Sequence, residues 1–139
     1  MIDRVLVPMD DSEMARKALE YALQVHPDAE ITVLTVVGGP TPYMGEAVGL
    51  SLADDLDVAA EVLAEPIFSS AASVAEGFNR EIRTLVRLGS PIRRIVNESA
   101  EYDLIIMGAH GRDLSSRLLL GNVAATVTRR APTPVTIVR

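Results

Sequence analysis

The chain has 139 residues, enough for one domain with a buried core, and we expect a single domain over residues 1–139. It has no cysteine, which excludes disulfides and thiolate metal sites. Its formal net charge of −6, without any basic block, argues against nucleic acid as the main partner.

No apolar run approaches a membrane span, and the opening Arg4-Val-Leu-Val7 lacks the layout of a signal peptide. The expectation is a cytoplasmic protein that does not engage a membrane.

Val5-Leu6-Val7, ended by Pro8, reads as a short buried strand. Asp10-Asp11-Ser12 supplies capping residues, with Glu13 in the first turn of a helix. Ala15, Ala18, Leu19, Ala22 and Leu23 recur at helical spacing, and His26-Pro27-Asp28 stops the run. Ile31 to Val37 is β-branched and apolar, a second buried strand.

A loop opens at Gly38-Gly39-Pro40-Thr41-Pro42, in which Tyr43 and Met44 read as solvated rather than as cover for a ligand. Helical character returns near Leu52 and lasts to about Glu76. Its expected buried face is Val58, Val62, Leu63, Ile67, Ala71 and Val74, and Pro66 is expected to kink or split it. Ile82 to Leu88 alternates as a third strand, and Gly89-Ser90-Pro91 opens a short helix with Ile92, Ile95 and Val96 inward. Leu104 to Met107 is a fourth strand, Val123 to Arg130 a last helix, and Pro134 to Val138 a last strand.

Strand and helix alternate throughout, which implies a parallel α/β sheet with right-handed crossovers and helices on both faces. Ligands in such sheets sit beyond the carboxyl ends of the strands, at the switch point. Pro8-Met9-Asp10, Val36-Val37-Gly38 and Gly108-Ala-His-Gly111 all leave strand ends of that kind.

Gly108 and Gly111 follow the fourth strand, and after nine more residues Gly121 opens a helix. Glycines let the backbone approach an anion and adopt positive φ, and a helix N-terminus offers unpaired N–H groups. A phosphate loop is therefore favoured over simple turn glycines.

Other phosphate designs are excluded. G-x-x-x-x-G-K-[ST] is absent, since the only lysine is Lys17 in the first helix. Pro8-Met-Asp-Asp-Ser-Glu13 occupies the turn where a dinucleotide fingerprint belongs. A phosphoryl-accepting receiver would need an aspartate after the third strand and a lysine after the last, and Leu88-Gly89 and Arg139 stand there instead.

The spacing G-x2-G-x9-G at Gly108, Gly111 and Gly121 resembles the universal stress protein family. So do the opening Val5-Leu-Val-Pro-Met-Asp10, the approach Leu118-Leu-Leu-Gly121 and the ending Arg130-Ala-Pro-Thr-Pro-Val-Thr-Ile-Val138. The resemblance covers the chain except the undistinctive segment 39–78.

It implies an open five-stranded parallel sheet in the order 3-2-1-4-5, a Rossmann-like fold of the adenine nucleotide alpha hydrolase-like kind, and a homodimer through the C-terminal strand. It also implies ATP, or ADP or AMP, with Mg²⁺ or Mn²⁺ carried on the phosphates.

Carried over residue by residue, Asp10, with Pro8 and Met9 before it, would lie beside the nucleoside and ribose. The Val36 backbone would meet adenine, and Met107 and Gly108 would follow the ribose. Gly111, Gly121, Asn122 and Val123 would surround the phosphates. His110 and Arg112 lie in the same loop.

Asn122 departs from the family's usual Ser or Thr: an amide also donates, but it is larger and presents a carbonyl. Capping the first helix is the commoner fate of an aspartate at the position of Asp10, and the two roles are compatible. His110 has no evident acid partner for catalysis. Arg112 and Arg117 serve phosphate or surface acids such as Asp113.

The implied function is nucleotide-dependent regulation in a stress response. A slow ATPase using Asp10 or His110, and a dimerisation module without physiological nucleotide, are the alternatives.

Overall fold

The computed structural model describes residues 1–38, 53–111 and 120–139. The expectations on Tyr43 and Met44, and on Arg112 and Arg117, lie outside the described residues. Within them, the strands are β1 (Arg4–Pro8), β2 (Glu30–Val37), β3 (Arg83–Leu88), β4 (Leu104–Gly108) and β5 (Val135–Val138). The helices are α1 (Glu13–Val25), α2 (Ala53–Gly77), α3 (Pro91–Ser99) and α4 (Asn122–Arg130). All strand pairs are parallel and the order is β3-β2-β1-β4-β5, as the resemblance implied.

Successive residues of a strand point to opposite faces. Val5, Val7, Leu104 and Ile106 therefore enter one core with α1 and α2, while Leu6, Ile105 and Met107 enter the other with α3 and α4. A sheet buried on both sides needs apolar residues at consecutive positions, which is why β1 and β4 read as unbroken runs.

Ser12 is the N-cap of α1: its hydroxyl accepts from the Ala15 N–H at 3.1 Å. Asp10 acts one step earlier, its Oδ1 accepting from the Ser12 N–H at 2.9 Å. At the other end of α1, the Arg80 guanidinium donates to Leu23 O at 3.0 Å and to Ala29 O at 2.7 Å. This arginine ties the chain after α2 to the turn between α1 and β2.

Helix α2 corrects two expectations. It runs unbroken through Pro66. Proline removes one N–H from the ladder, but Pro66 is on the exposed side, where water can serve the orphaned Val62 carbonyl. In the first half of the helix the buried face also has a different phase, whereas Ile67, Ala71 and Val74 join the core as expected. Ala60, Ala64, Ala71 and Ala75 are buried, whereas Val58, Val62 and Leu63 are exposed. Alanines let the helix axis come close to its neighbours, and the larger side chains are turned outward.

By length and average composition the stretch Leu56–Gly77 would suit a bilayer, contrary to the sequence expectation. Glu61 and Glu65 interrupt it, and Ala71 and Ala75 belong to the core beneath the sheet.

The start of β1 is held by a carboxylate a hundred residues away. Asp103 Oδ2 accepts from the backbone N–H of Asp3 and of Arg4, each at 2.9 Å. These two bonds hold its pKa below the ordinary carboxylate value. A depressed folded-state pKa gives stabilisation that is present above the unfolded value and lost as pH falls through the folded one. Acidification should therefore release the Asp3 and Arg4 amides, seen as movement of their NMR resonances with a shared midpoint below the ordinary carboxylate range. Asp103→Asn should remove that titration.

Candidate functional site

Strand β1 ends before its neighbour does. Pro8 is level with Leu34, Met9 donates its N–H to Leu34 O at 2.8 Å, and the chain then turns away through Asp10. Strand β2 continues to Val37, whose carbonyl accepts from the Gly89 N–H on the β3 side. Backbone groups alternate sides along a strand. Leu34 faces β1 and Val37 faces β3, so Val36 presents its N–H and C=O to the space that β1 has vacated. That unpaired edge has one donor and one acceptor, the requirement for reading a flat heterocycle.

The walls of this space are apolar. Leu34 and Val36 come from β2, Pro91 and Ile95 from the start of α3, and Met107 from β4. The cavity extends past Pro8, Met9, Asp10 and Ser12 to Gly108, His110, Gly111, Gly121, Asn122 and Val123, with a volume of about 420 Å³. That is within the range of small-molecule sites, roughly 300–1,000 Å³. The described residues of the expected site thus line one cleft, and Arg112 lies outside the described residues.

Sequence reasoning missed Leu34, Pro91, Ile95 and Ala124. Leu34 was legible, since it shares a strand face with Val36 two positions on. The α3 residues were not, because only the sheet order brings α3 against the second strand.

The three motif glycines do different things. None has positive φ; among the described residues only Gly89, at 125°, is a glycine of that kind. A Cβ on Gly108 would lie 2.6 Å from Met14 Cγ and 3.1 Å from the Met14 backbone, so this glycine lets α1 pack against β4. A Cβ on Gly111 would lie 2.8 Å from Asp10 Oδ2, which places the carboxylate against the loop. A Cβ on Gly121 would lie 3.1 Å from His110 Cα and 3.2 Å from Ala109 O. Close approach, rather than unusual dihedrals, is what these positions require.

Gly121 donates its own N–H to Ala109 O at 2.7 Å. The donors open to a ligand therefore begin with Asn122, Val123 and Ala124, in the first turn of α4. No side chain caps that helix, and its first turn carries no acid. Unpaired N–H groups and the positive dipole end together favour an anion there.

His110 Nδ1 lies 3.1 Å from Gly111 O, and a carbonyl only accepts, so Nδ1 carries the proton. Nε2 is buried, with no hydrogen-bond partner among the described residues. Among the described residues the ring bonds to a carbonyl and not to a carboxylate.

The universal stress protein family model matches residues 1–139. A universal stress protein of Methanocaldococcus jannaschii is 30% identical over 143 residues, spanning 98% of this chain and 81% of the relative. The solved universal stress protein UspA from Lactobacillus plantarum is 26% identical with a TM-score of 0.76, covering 99% of this chain and 98% of its own. A universal stress protein solved in complex with cAMP is 25% identical with a TM-score of 0.71, covering 99% and 97% of the two chains. Matched over its whole length by the family model, and folded in the same strand order, the chain belongs to the universal stress protein family.

Proposed function

We propose that the cleft binds an adenine nucleotide, ATP or its di- or monophosphate, and that the protein acts in a stress response by holding it. One observation carries this reading. The unpaired Val36 backbone lies at the apolar end of the cleft, and the open N–H groups of α4 lie at the other, within one cavity of about 420 Å³. A base and an anion on one ligand fit the two ends. The similar structure that holds cAMP supports the same ligand class.

Among the described residues no three His, Asp or Glu side chains group to hold a metal ion. Mg²⁺ or Mn²⁺ would then arrive on the phosphates, as hard cations that keep several waters commonly do. A ligand drawn from the cell's adenine nucleotides puts the protein in the cytoplasm.

Binding rather than turnover is favoured by the site's chemistry. Among the described residues no acid orients His110, and one oxygen of Asp10 is committed to the Ser12 N–H. Mass spectrometry of small molecules released from the purified, denatured protein tests the reading directly. An adenine nucleotide at near-stoichiometric yield is expected, and none, together with no calorimetric response to ATP, ADP or AMP, would overturn it. Steady phosphate release lost in Asp10→Asn would make the protein an enzyme instead.

Assembly is the second part of the proposal. β5 is last in the sheet order, so among the described residues one edge of its backbone has no strand beside it. Proteins cover or pair such edges. Pairing with β5 of a second copy gives a two-fold homodimer.

Three outcomes follow from this. Gly111→Val should lower nucleotide affinity by at least about tenfold with little change in Tm, because the clash is with the movable Asp10 carboxylate. Asn122→Ser should keep or raise ATP affinity, by up to roughly tenfold for one neutral hydrogen bond, in calorimetric titration. Replacing Thr136 with proline and Val138 with aspartate should convert dimers to monomers in light scattering; a wild type that is monomeric at micromolar concentration would remove β5 as an interface.

A further inference from the structure

Helix α2 outruns the sheet it covers. Its 25 residues rise roughly 37 Å at 1.5 Å each. The 8 residues of β2 span only about 26 Å. The second half of α2 is the packed half: Ile67, Phe68, Ala71, Val74 and Ala75 join the core. Arg80, just beyond it, bonds to Ala29 O beside the start of β2. The first half therefore stands at the carboxyl end of the strands, the end at which the cleft opens.

There the helix turns large apolar groups to solvent. Val58 is 59% exposed, Val62 66% and Leu63 42%. Val58, Val62 and Pro66 are spaced by four and share a stripe, and Glu61 and Glu65, exposed and also four apart, run beside it. Ala60 and Ala64 occupy the opposite, buried side. Valine is a poorer helix former than Glu, Lys or Gln, so nothing local favours it on a solvated face. Between Ala53 and Gly77 the helix has six acidic residues and no lysine or arginine.

Charge decides what fits this face. An anionic bilayer surface would meet carboxylates and find no basic residue on the helix to hold its headgroups. A second copy docked through the same face would set one acidic row against another. The complement is an apolar seam flanked by cations. The Val62 carbonyl adds to this, because residue 66 is proline and provides no helical N–H to it; a lysine or arginine can donate there.

We propose that the outer face of the first half of α2 is a docking site for a cationic amphipathic helix of a partner protein. The recognition is helix against helix, with apolar anchors along the valine stripe and basic residues on Glu61 and Glu65. The assignment does not rest on the nucleotide reading.

The test uses the full chain and a labelled synthetic Leu/Lys amphipathic helix, with a scrambled peptide of the same composition as control. Fluorescence anisotropy should show the amphipathic peptide binding at least roughly tenfold more tightly than the scramble. The double variant Val58→Lys/Val62→Lys should bring the two peptides level, with circular dichroism and Tm unchanged because both residues are exposed. Val62→Ser should weaken binding without altering charge. Equal binding of peptide and scramble by the wild type, or full binding by the double variant, would overturn the proposal. So would self-association that the double variant abolishes, or adsorption to anionic phospholipid vesicles through this face.

Discussion

The early exit of β1 from the sheet is the constraint on which the site depends. β2 runs three residues beyond the register pair Pro8–Leu34, with no strand beside it on the β1 side. An exposed edge in the middle of a sheet is normally costly, since buried N–H and C=O groups need partners. The exit is held in place by local chemistry. Thr35 donates its hydroxyl to Met9 O at 3.2 Å, and Asp10 and Ser12 accept the N–H groups that start α1. The residues that turn the chain out of the sheet are thus the ones that open the cleft and floor it.

On the other side of β1, the same end of the sheet is shaped by how closely helices approach strands. Gly108 admits Met14 of α1, and Gly121 admits the His110 backbone to the start of α4. The Gly121 N–H to Ala109 O bond then fixes where α4 begins. Helix position and donor position are one decision here. A side chain at Gly121 would press on backbone atoms and tilt the helix, whereas one at Gly111 would press on the end of a carboxylate. The two glycines look alike in the motif, but their substitutions act on different parts of the fold.

This difference marks what the sequence could and could not disclose. The parallel sheet and the strand ends that meet at the cleft followed from buried runs and turn chemistry, because β1 and β4 must be apolar on both faces; the strand order came from the family resemblance. The motif spacing put Gly108, Gly111 and Gly121 on the lining of one cleft. Glycine permits positive φ, but none of the three adopts it, since spacing carries no information on dihedrals. In α2 the periodicity search followed the largest apolar residues, and Val58, Val62 and Leu63 set a false phase. Burial there was decided by small residues, which contribute little to an apolar stripe yet allow the closest packing. Pro66 was expected to kink or split the helix; it does not split it, and the proline lies on the exposed side.

Charge is divided along the chain in the same way as structure. Up to Phe78 there are 14 acidic and 3 basic residues; from Asn79 onward there are 5 and 10. The net −6 therefore hides two halves of opposite sign. α2 belongs to the acidic half, and the β4–α4 end of the cleft belongs to the basic one. An anionic ligand approaching the protein is attracted toward the α4 terminus and repelled from the α2 face, so the two surfaces select ligands of opposite charge. The whole-chain charge is an average over both. It does not describe the field at the cleft, which the N-terminus of α4 adjoins.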